Sequence, residues 1–206
     1  LPMIFKVTSV YPFNVEMENK EDYVEGWSNK DKLSGDIEIP SLVKNEGISY
    51  KVIGLGKDAL ALVVNVTSLK LNEGLEYTSY QSIRWCGGLH EIVIPNTVKV
   101  LGEAAMTDCH NVKTVVLGSG LERLKSLAFW AVSYRLETIV SLNPIPAICD
   151  SPNSTFESLP EDVTLYVPLG SKSAYETAPG WDYFAGHIVE MAMSPATVKV
   201  TACSRE

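Results

Sequence analysis

The chain has 206 residues, of which 46% are hydrophobic and 20% are charged, a composition that suits one globular domain or one repeat array. Its formal net charge of −8 argues against a nucleic-acid partner, because binding to a phosphate backbone requires a basic surface. The longest uninterrupted apolar stretch, Ala59 to Val64, is far too short to form a transmembrane helix.

The segment 1–34 is predicted to form an N-terminal cap. Its apolar residues suggest a pair of strands: Phe5, Val7, Val10, Tyr11, Phe13 and Val15. Most of the negative charge follows between Glu16 and Glu38, where eight acidic residues accompany only three lysines. These carboxylates lack the spacing of a calcium-binding loop, so we expect a solvated acidic face.

A 23-residue period organises the middle of the chain. One set of positions carries large apolar side chains, a second carries valine or cysteine, and a third carries small residues. The three sets are Leu60, Ile83, Met106 and Phe129; Val63, Cys86, Cys109 and Val132; and Ala59, Ser82, Ala105 and Ala128. One extra residue enters between Ser133 and Arg135, where we expect a bulge or a longer turn. Such a period is typical of a leucine-rich-repeat solenoid, whose core forms only when successive coils stack.

Each repeat contains a short alternating segment such as Ile92-Val93-Ile94, which predicts one strand per coil. Proline follows three of these segments and ends the strand, because it has no N–H to donate. The six segments are Ile37–Ile39, Leu69–Leu71, Ile92–Ile94, Val115–Leu117, the residues around Ile139, and Leu165–Val167. We therefore predict an α/β repeat solenoid, a right-handed superhelix with about six short parallel strands on one face, capped at both ends. A helical or 3₁₀ turn is expected on the other side of each coil.

The coils are predicted to span residues 35–142, and a C-terminal cap residues 143–190, within a single structural domain. The cap contains the last strand and a short helix over Ser171–Thr177, which begins at a serine N-cap. Large side chains close the last coil: Tyr175, Trp181, Phe184 and Ile188. Residues 191–206 are predicted to be a tail or linker, in which Ala196–Val200 is either one more strand or the start of the linker.

Two phrases of the sequence resemble the BspA-like leucine-rich repeats of bacterial surface proteins. They are Ile94–Met106, with Cys109 following shortly after, and Leu124–Phe129. The segment Ile39–Val52 is similar to the longer first repeat of that family, and Leu165–Pro168 with the aromatic residues after it is similar to its end cap. Thr78-Ser79 and the valines at positions 63 and 132 depart from the pattern, which affects local turns rather than the fold.

The resemblance implies export, a cell-surface or periplasmic location, and binding to host or bacterial ligands without catalysis. Because the sequence begins at Leu1, we expect that a leader has been removed. We therefore predict a non-catalytic interaction module of a secreted or surface-anchored bacterial protein, which binds a protein or glycan ligand. The alternative is a structural spacer or self-association domain whose strand face is buried in a homodimer.

The outward positions of the strands are the first candidate for the binding surface. Three consecutive valines flanked by threonines predict an exposed apolar strip, which is a usual mark of a binding site. Alternatively, valine merely suits strands, or a cap or partner protomer covers the strip. The candidate residues are Lys70, Glu91, Val93, Thr114, Val116, Thr138, Val140 and Tyr166.

Three aromatic residues, Trp85, Trp130 and Tyr134, form a second candidate. They follow inward positions on the turn side of their coils, and exposed aromatics suit carbohydrate or protein contacts. Packing in the core or a cap is the alternative.

The sequence offers little for chemistry. Cys86 and Cys109 occupy one position in adjacent coils, ~5 Å apart and within disulfide range. We expect buried free thiols, because valine holds that position in the other coils; a Cys86–Cys109 disulfide remains an alternative, as does a Cys149–Cys203 bridge. The three histidines lack zinc-ligand spacing, and the phrases Gly118–Gly120 and Gly170–Ser173 are predicted to be turns or caps. No metal, cofactor or catalytic residue is expected.

Overall fold

The computed structural model describes residues 3–10, 13–18 and 33–192. These residues form fifteen strands, two short helices and one 3₁₀ helix. The strands are β1 Ile4–Val10, β2 Phe13–Glu18, β3 Gly35–Glu38, β4 Leu42–Asn45, β5 Ile48–Leu55, β6 Val66–Lys70, β7 Tyr77–Thr78, β8 Glu91–Ile94, β9 Val100–Leu101, β10 Thr114–Leu117, β11 Arg123–Leu124, β12 Thr138–Ser141, β13 Ile148–Cys149, β14 Thr164–Pro168 and β15 Ile188–Met191. The helices are α1 Pro152–Thr155, α2 Lys172–Thr177 and the 3₁₀ helix Trp181–Phe184.

Successive coils stack into parallel sheets, as the 23-residue period predicts. The first sheet has the order β15-β14-β12-β10-β8, and β3 pairs with β6 in a separate two-stranded sheet. All six predicted strands are present, and β15 adds a seventh where the sequence predicts only that Ile188 closes the last coil. The predicted solenoid is therefore confirmed, with the strand stack divided between two sheets.

A second row of strands runs along another side of the coils. Sheet order β1-β2-β5-β7-β9-β11-β13 joins the antiparallel N-terminal pair β1–β2, through β5, to four strands of only two residues each. The predicted N-terminal strand pair is thus confirmed. The sequence predicts strands on one face only. The structure has strands on a second face as well, because each coil forms a further strand of two residues before it turns back.

The third side of each coil is a ladder of turns rather than the expected helical or 3₁₀ turn. The N–H groups of Leu60 and Ile83 donate to the carbonyls of Ser82 and Ala105 in the next coil, each at 2.8 Å. Because these bonds join coils, they cannot also close the turns of a helix. Left-handed backbone recurs on this side at Asp58, Leu62, Gln81, Trp85, Ala104, Asp108, Leu127 and Ala131.

The extra residue of the fourth repeat is absorbed in a longer turn, as predicted. Thr114 pairs with Glu91, one period earlier, but with Thr138, which lies one position beyond the next full period. The Ser133 hydroxyl donates to the His110 carbonyl and accepts the N–H of Arg135, both at 3.0 Å. This local bonding keeps the strands of the next coil in register.

The core consists of the repeated inward positions and closes on aromatic rings. Leu60, Ile83, Met106 and Phe129 are all fully buried. At the C-terminal end, the ring of Phe156 lies 4.9 Å from those of Trp181 and Phe184, and Tyr175 lies 5.0 Å from Trp181. These contacts cover the last coil, which would otherwise expose its apolar face.

The start of α2 differs from its prediction. Ser171 stands at the N-cap, but its side chain makes no capping hydrogen bond. The carboxylate of Glu190 on β15 instead accepts the N–H groups of Gly170 and Lys172, at 2.8 and 3.0 Å. A carboxylate is a stronger acceptor for these groups than a hydroxyl, so the last strand holds the helix in place. Most of the acidic segment after Glu18, and Ala196–Val200, lie outside the described residues.

Candidate binding surfaces

Strands β8, β10, β12 and β14 align the first candidate surface, called here the strand face, in two rows. The first row is Glu91, Thr114, Thr138 and Thr164. The second row is Val93, Val116, Val140 and Tyr166. The structure thus brings together seven of the eight predicted residues. Lys70 lies on β6, which contacts β8 without pairing to it, and it forms a 2.7 Å ion pair with Glu38 of β3.

The valines of the strand face are less exposed than predicted. Val93 is 43% exposed, whereas Val116 and Val140 are only 6% and 5% exposed. Val116 and Val140 each have side-chain neighbours ~4.8 Å away on both sides, and these neighbours close over them. Val93 lies on β8, the last strand of this sheet, and has a neighbour on a backbone-paired strand on one side only. The prediction of a continuous exposed apolar strip is therefore wrong.

The strand face instead carries polar groups that have no hydrogen-bond or ion-pair partner among the described side chains. Within the described part of the chain, the hydroxyls of Thr114, Thr138, Thr164 and Tyr166 have no side-chain hydrogen bond, and Glu91 has no ion pair. Glu91 is exposed, and the other four are half-buried. Parallel strands hold these groups at a regular spacing of ~4.8 Å along the first row. The arrangement can form several hydrogen bonds to one extended ligand.

The aromatic candidates lie on the surface rather than in the core. Trp85, Trp130 and Tyr134 are 43%, 39% and 68% exposed. The Arg84 guanidinium lies over the Trp85 ring, 5.0 Å from its centroid. Tyr134 lies further along the coil, with its ring 6.1 Å from that of His110. The structure therefore places the two tryptophans on the turn ladder and Tyr134 beyond it.

The residues between the two tryptophans are not among the predicted site residues. Thr107 shares a repeat position with Arg84 and Trp130, which lie one full period to either side of it. Asp108 likewise follows Trp85 by one period. The period itself was the signal that would have identified them, since it places these side chains in neighbouring coils.

The cysteines form no disulfide among the described residues. Cys86 and Cys109 are free and fully buried, and Cys149 is free and buried. The thiols of Cys86 and Cys109 donate to the carbonyls of Leu60 and Ile83 in the preceding coils, at 3.2 and 3.0 Å. A hydrogen bond with Cys109 and burial raise the pKa of the Cys86 thiol. The prediction of buried thiols is confirmed for this pair, while Cys203 lies outside the described residues.

The phrase Gly118–Gly120, which the sequence predicts to be a turn, has a structural role. Ser119 donates through its N–H and its hydroxyl to the Asn96 side-chain oxygen, at 3.0 and 3.1 Å, and so joins two coils. Among residues 3–10, 13–18 and 33–192, no group of three or more His, Cys, Asp or Glu side chains is placed to hold a metal ion. No helix in the same residues is long and apolar enough to span a membrane.

Solved structures of bacterial leucine-rich repeat proteins have a similar fold. A leucine-rich repeat protein from Bacteroides ovatus matches 81% of this chain at 19% identity with a TM-score of 0.54. A leucine-rich cell surface protein from Faecalibacterium prausnitzii matches 82% of this chain at 17% identity with a TM-score of 0.57. The T. pallidum leucine-rich repeat protein matches 80% of this chain at 15% identity with a TM-score of 0.56. The chain spans 36%, 44% and 78% of these three proteins. A comparison with curated protein sequences found no match.

The repeat family is shown by the sequence itself. The model of the BspA-type leucine-rich repeat region matches residues 40–158 in six copies, which is more than half of the chain. The match contains both phrases on which the resemblance was based, and the strands β6, β8, β10 and β12. The chain therefore belongs to the BspA-type leucine-rich repeat family.

Proposed function

We propose that this chain is a non-catalytic interaction module of a secreted or surface-anchored bacterial protein, which binds a protein or glycan ligand through the strand face. The observation that carries the proposal is the row of polar groups Glu91, Thr114, Thr138 and Thr164 on strands in register. A ligand that hydrogen-bonds to this row does not have to break a side-chain bond to another described residue.

The packing beneath the strand face also favours binding. Ile92, Val115 and Ile139, which alternate with the outward residues, are fully buried in the core. The backbone that presents the hydroxyls is therefore held on its other side, and a ligand does not have to order it. Binding surfaces that are already ordered lose less entropy when the ligand arrives.

The two ends of the second row offer apolar contact beside the polar one. Val93 is exposed on β8, and Tyr166 is half-buried three strands further along. Aromatic and apolar anchors flanking hydrogen-bonding groups are a common composition for a recognition surface. The proposed ligand lies across β8, β10, β12 and β14 and contacts both ends.

A binding screen with matched variants tests this proposal. The full chain is applied to an array of purified extracellular matrix proteins and defined glycans, beside Thr114→Arg, Thr138→Arg and the control Ile148→Arg. Ile148 is 61% exposed on β13, which belongs to the other sheet. We expect a ligand whose binding is lost in both threonine variants and retained in the control. The strand face is refuted as a binding site if every ligand that the array detects still binds both threonine variants.

A further inference from the structure

The two exposed tryptophans of the turn ladder lie two coils apart on one side of the molecule. Trp85 belongs to the second regular coil and Trp130 to the fourth, and their repeat positions are neighbours. Two coil steps correspond to ~10 Å along the solenoid. That distance is comparable with the length of one disaccharide unit, so a short oligosaccharide can reach both rings.

The residues between the tryptophans are small or polar. Thr107 and Asp108 belong to the intervening coil, and Ala131 follows Trp130. Asp108 is half-buried, and its carboxylate makes no hydrogen bond or ion pair with any described residue. We call the surface formed by Arg84, Trp85, Thr107, Asp108, Trp130 and Ala131 the tryptophan patch.

Thr107 supplies a second, independent observation. It is 1% exposed, whereas Arg84 and Trp130, which hold the same repeat position in the coils to either side, are partly exposed. Its hydroxyl has no hydrogen-bond partner among the described residues. A buried hydroxyl without a partner is costly, and a polar ligand group that enters between Arg84 and Trp130 would satisfy it.

The Trp85 ring is held in place before any ligand arrives. The Arg84 guanidinium lies 5.0 Å from the ring centroid, and its Nη2 lies 3.7 Å from the Asp58 carboxylate of the preceding coil. One face of the ring is thereby stacked, while the side chain as a whole remains 43% exposed. A fixed aromatic ring with an open face is the surface on which the C–H face of a sugar ring packs.

From this arrangement we infer that the tryptophan patch is a second binding site, specific for an uncharged oligosaccharide. Sugar rings stack on Trp85 and Trp130, and hydroxyl groups between them donate to the Asp108 carboxylate and bond to Thr107. Exposed Glu103 and Glu157 lie in the same stretch of turns as Asp108. This acidic surround repels anionic sugars, which is why the ligand is uncharged.

Calorimetric titration of the full chain tests the inference. The probes are hexamers of β1,4-linked glucose, xylose and N-acetylglucosamine, with hexagalacturonate as the anionic comparison. We expect at least one neutral hexamer to bind, and Trp85→Ala and Trp130→Ala each to weaken it about tenfold or more. Tyr134→Ala, which removes an exposed ring outside the patch, and Thr114→Arg on the strand face leave that affinity unchanged.

A fluorescence measurement on the unaltered chain keeps the test independent of how the variants fold. Bound hexamer is expected to protect tryptophan from iodide quenching, because Trp181 is buried and the patch holds the two exposed tryptophan rings of the described residues. Absence of binding by every neutral hexamer would overturn the inference. So would equal binding of hexagalacturonate, or affinity that both tryptophan variants retain. Loss of hexamer binding in Thr114→Arg alone would assign the sugar to the strand face instead.

Discussion

The hydroxyl of Tyr77 donates to the Glu16 carboxylate at 2.8 Å and thereby joins the N-terminal strand pair to the first coils of the solenoid. Tyr77 lies on β7 and Glu16 on β2, and both strands flank β5. The Tyr77 ring packs directly against Gly54 of β5, where a methyl group would collide with it. Burial is the largest cause that raises the pKa of the Tyr77 hydroxyl, and the hydrogen bond to Glu16 raises it further. The contact therefore fixes the cap across a strand that has no side chain at that point.

Removal of this hydroxyl should loosen the cap. Tyr77→Phe keeps the ring against Gly54 but removes the donor to Glu16 Oε2, so we expect a loss of about 1–2 kcal/mol in the free energy of unfolding. Chemical denaturation measures it. Tyr80→Phe is the matched control, because Tyr80 is 41% exposed and its ring contact with Lys57 survives the change. Equal stability of the two variants would show that the hydrogen bond does not hold the cap.

The close approach of successive coils predicts a sharp difference between two glycines. A methyl group on Gly118 would collide with the carbonyl oxygen of Pro95 in the preceding coil, whereas one on Gly87 would meet no atom within 4 Å. We expect Gly118→Ala to lower the melting temperature, at a cost of about 1–3 kcal/mol, and Gly87→Ala to leave it nearly unchanged. Similar melting temperatures for both variants would contradict the described stacking of the coils.

The buried thiols should be protected from reagents in the native protein. We expect Cys86 and Cys109 to remain unmodified by a maleimide in native buffer and to react fully in denaturant without a reducing agent. Mass spectrometry of the digested protein locates each modified cysteine. Failure of both residues to react in denaturant until a reductant is added would show a disulfide between the coils.

Alkaline pH should destabilise the C-terminal cap through Tyr175. Burial raises the pKa of this hydroxyl to about 12, and the hydroxyl bonds to Ser141 and to the Asn143 carbonyl, both at 2.7 Å. Above pH 10 the unfolded chain loses this proton more readily than the folded one. The contribution of Tyr175 to stability is therefore complete below pH 10 and is lost progressively as the pH rises towards 12.

Comparison with a variant isolates this effect from that of other tyrosines. Tyr175→Phe removes the titrating group and both hydrogen bonds, so it is less stable at pH 8. Its unfolding free energy should also decline less steeply between pH 10 and 12 than that of the unaltered chain. Parallel declines in the two proteins would show that Tyr175 does not titrate with the cap.

The 23-residue period predicts the coil stack because each inward position, such as Ile83 or Met106, must pack on its counterpart in the next coil. It does not predict the second row of strands, because pairs such as Val100-Leu101 are too short to show alternation. The Glu190 contact with α2 escapes sequence analysis for a different reason. It joins residues 18 and 20 positions apart that no motif connects.

The candidate surfaces, too, were predicted from the sequence only in part. Alternation places Val116 and Val140 on the outward side, but their exposure depends on how closely the neighbouring strands crowd them, which no pattern along one strand records. The tryptophans were identified as residue types, whereas Thr107 and Asp108 gain their interest only from their position between them. The period reveals that position once the stacking geometry is known.

We expect the strand face of the folded protein to be free to meet a ligand and not to be buried between two copies of the chain. Sedimentation equilibrium of the full chain decides between these two states. A monomer of 22.6 kDa is expected, with the same mass for Val93→Arg and Thr114→Arg. A mass of twice that value that falls to the monomer in these two variants would contradict this expectation.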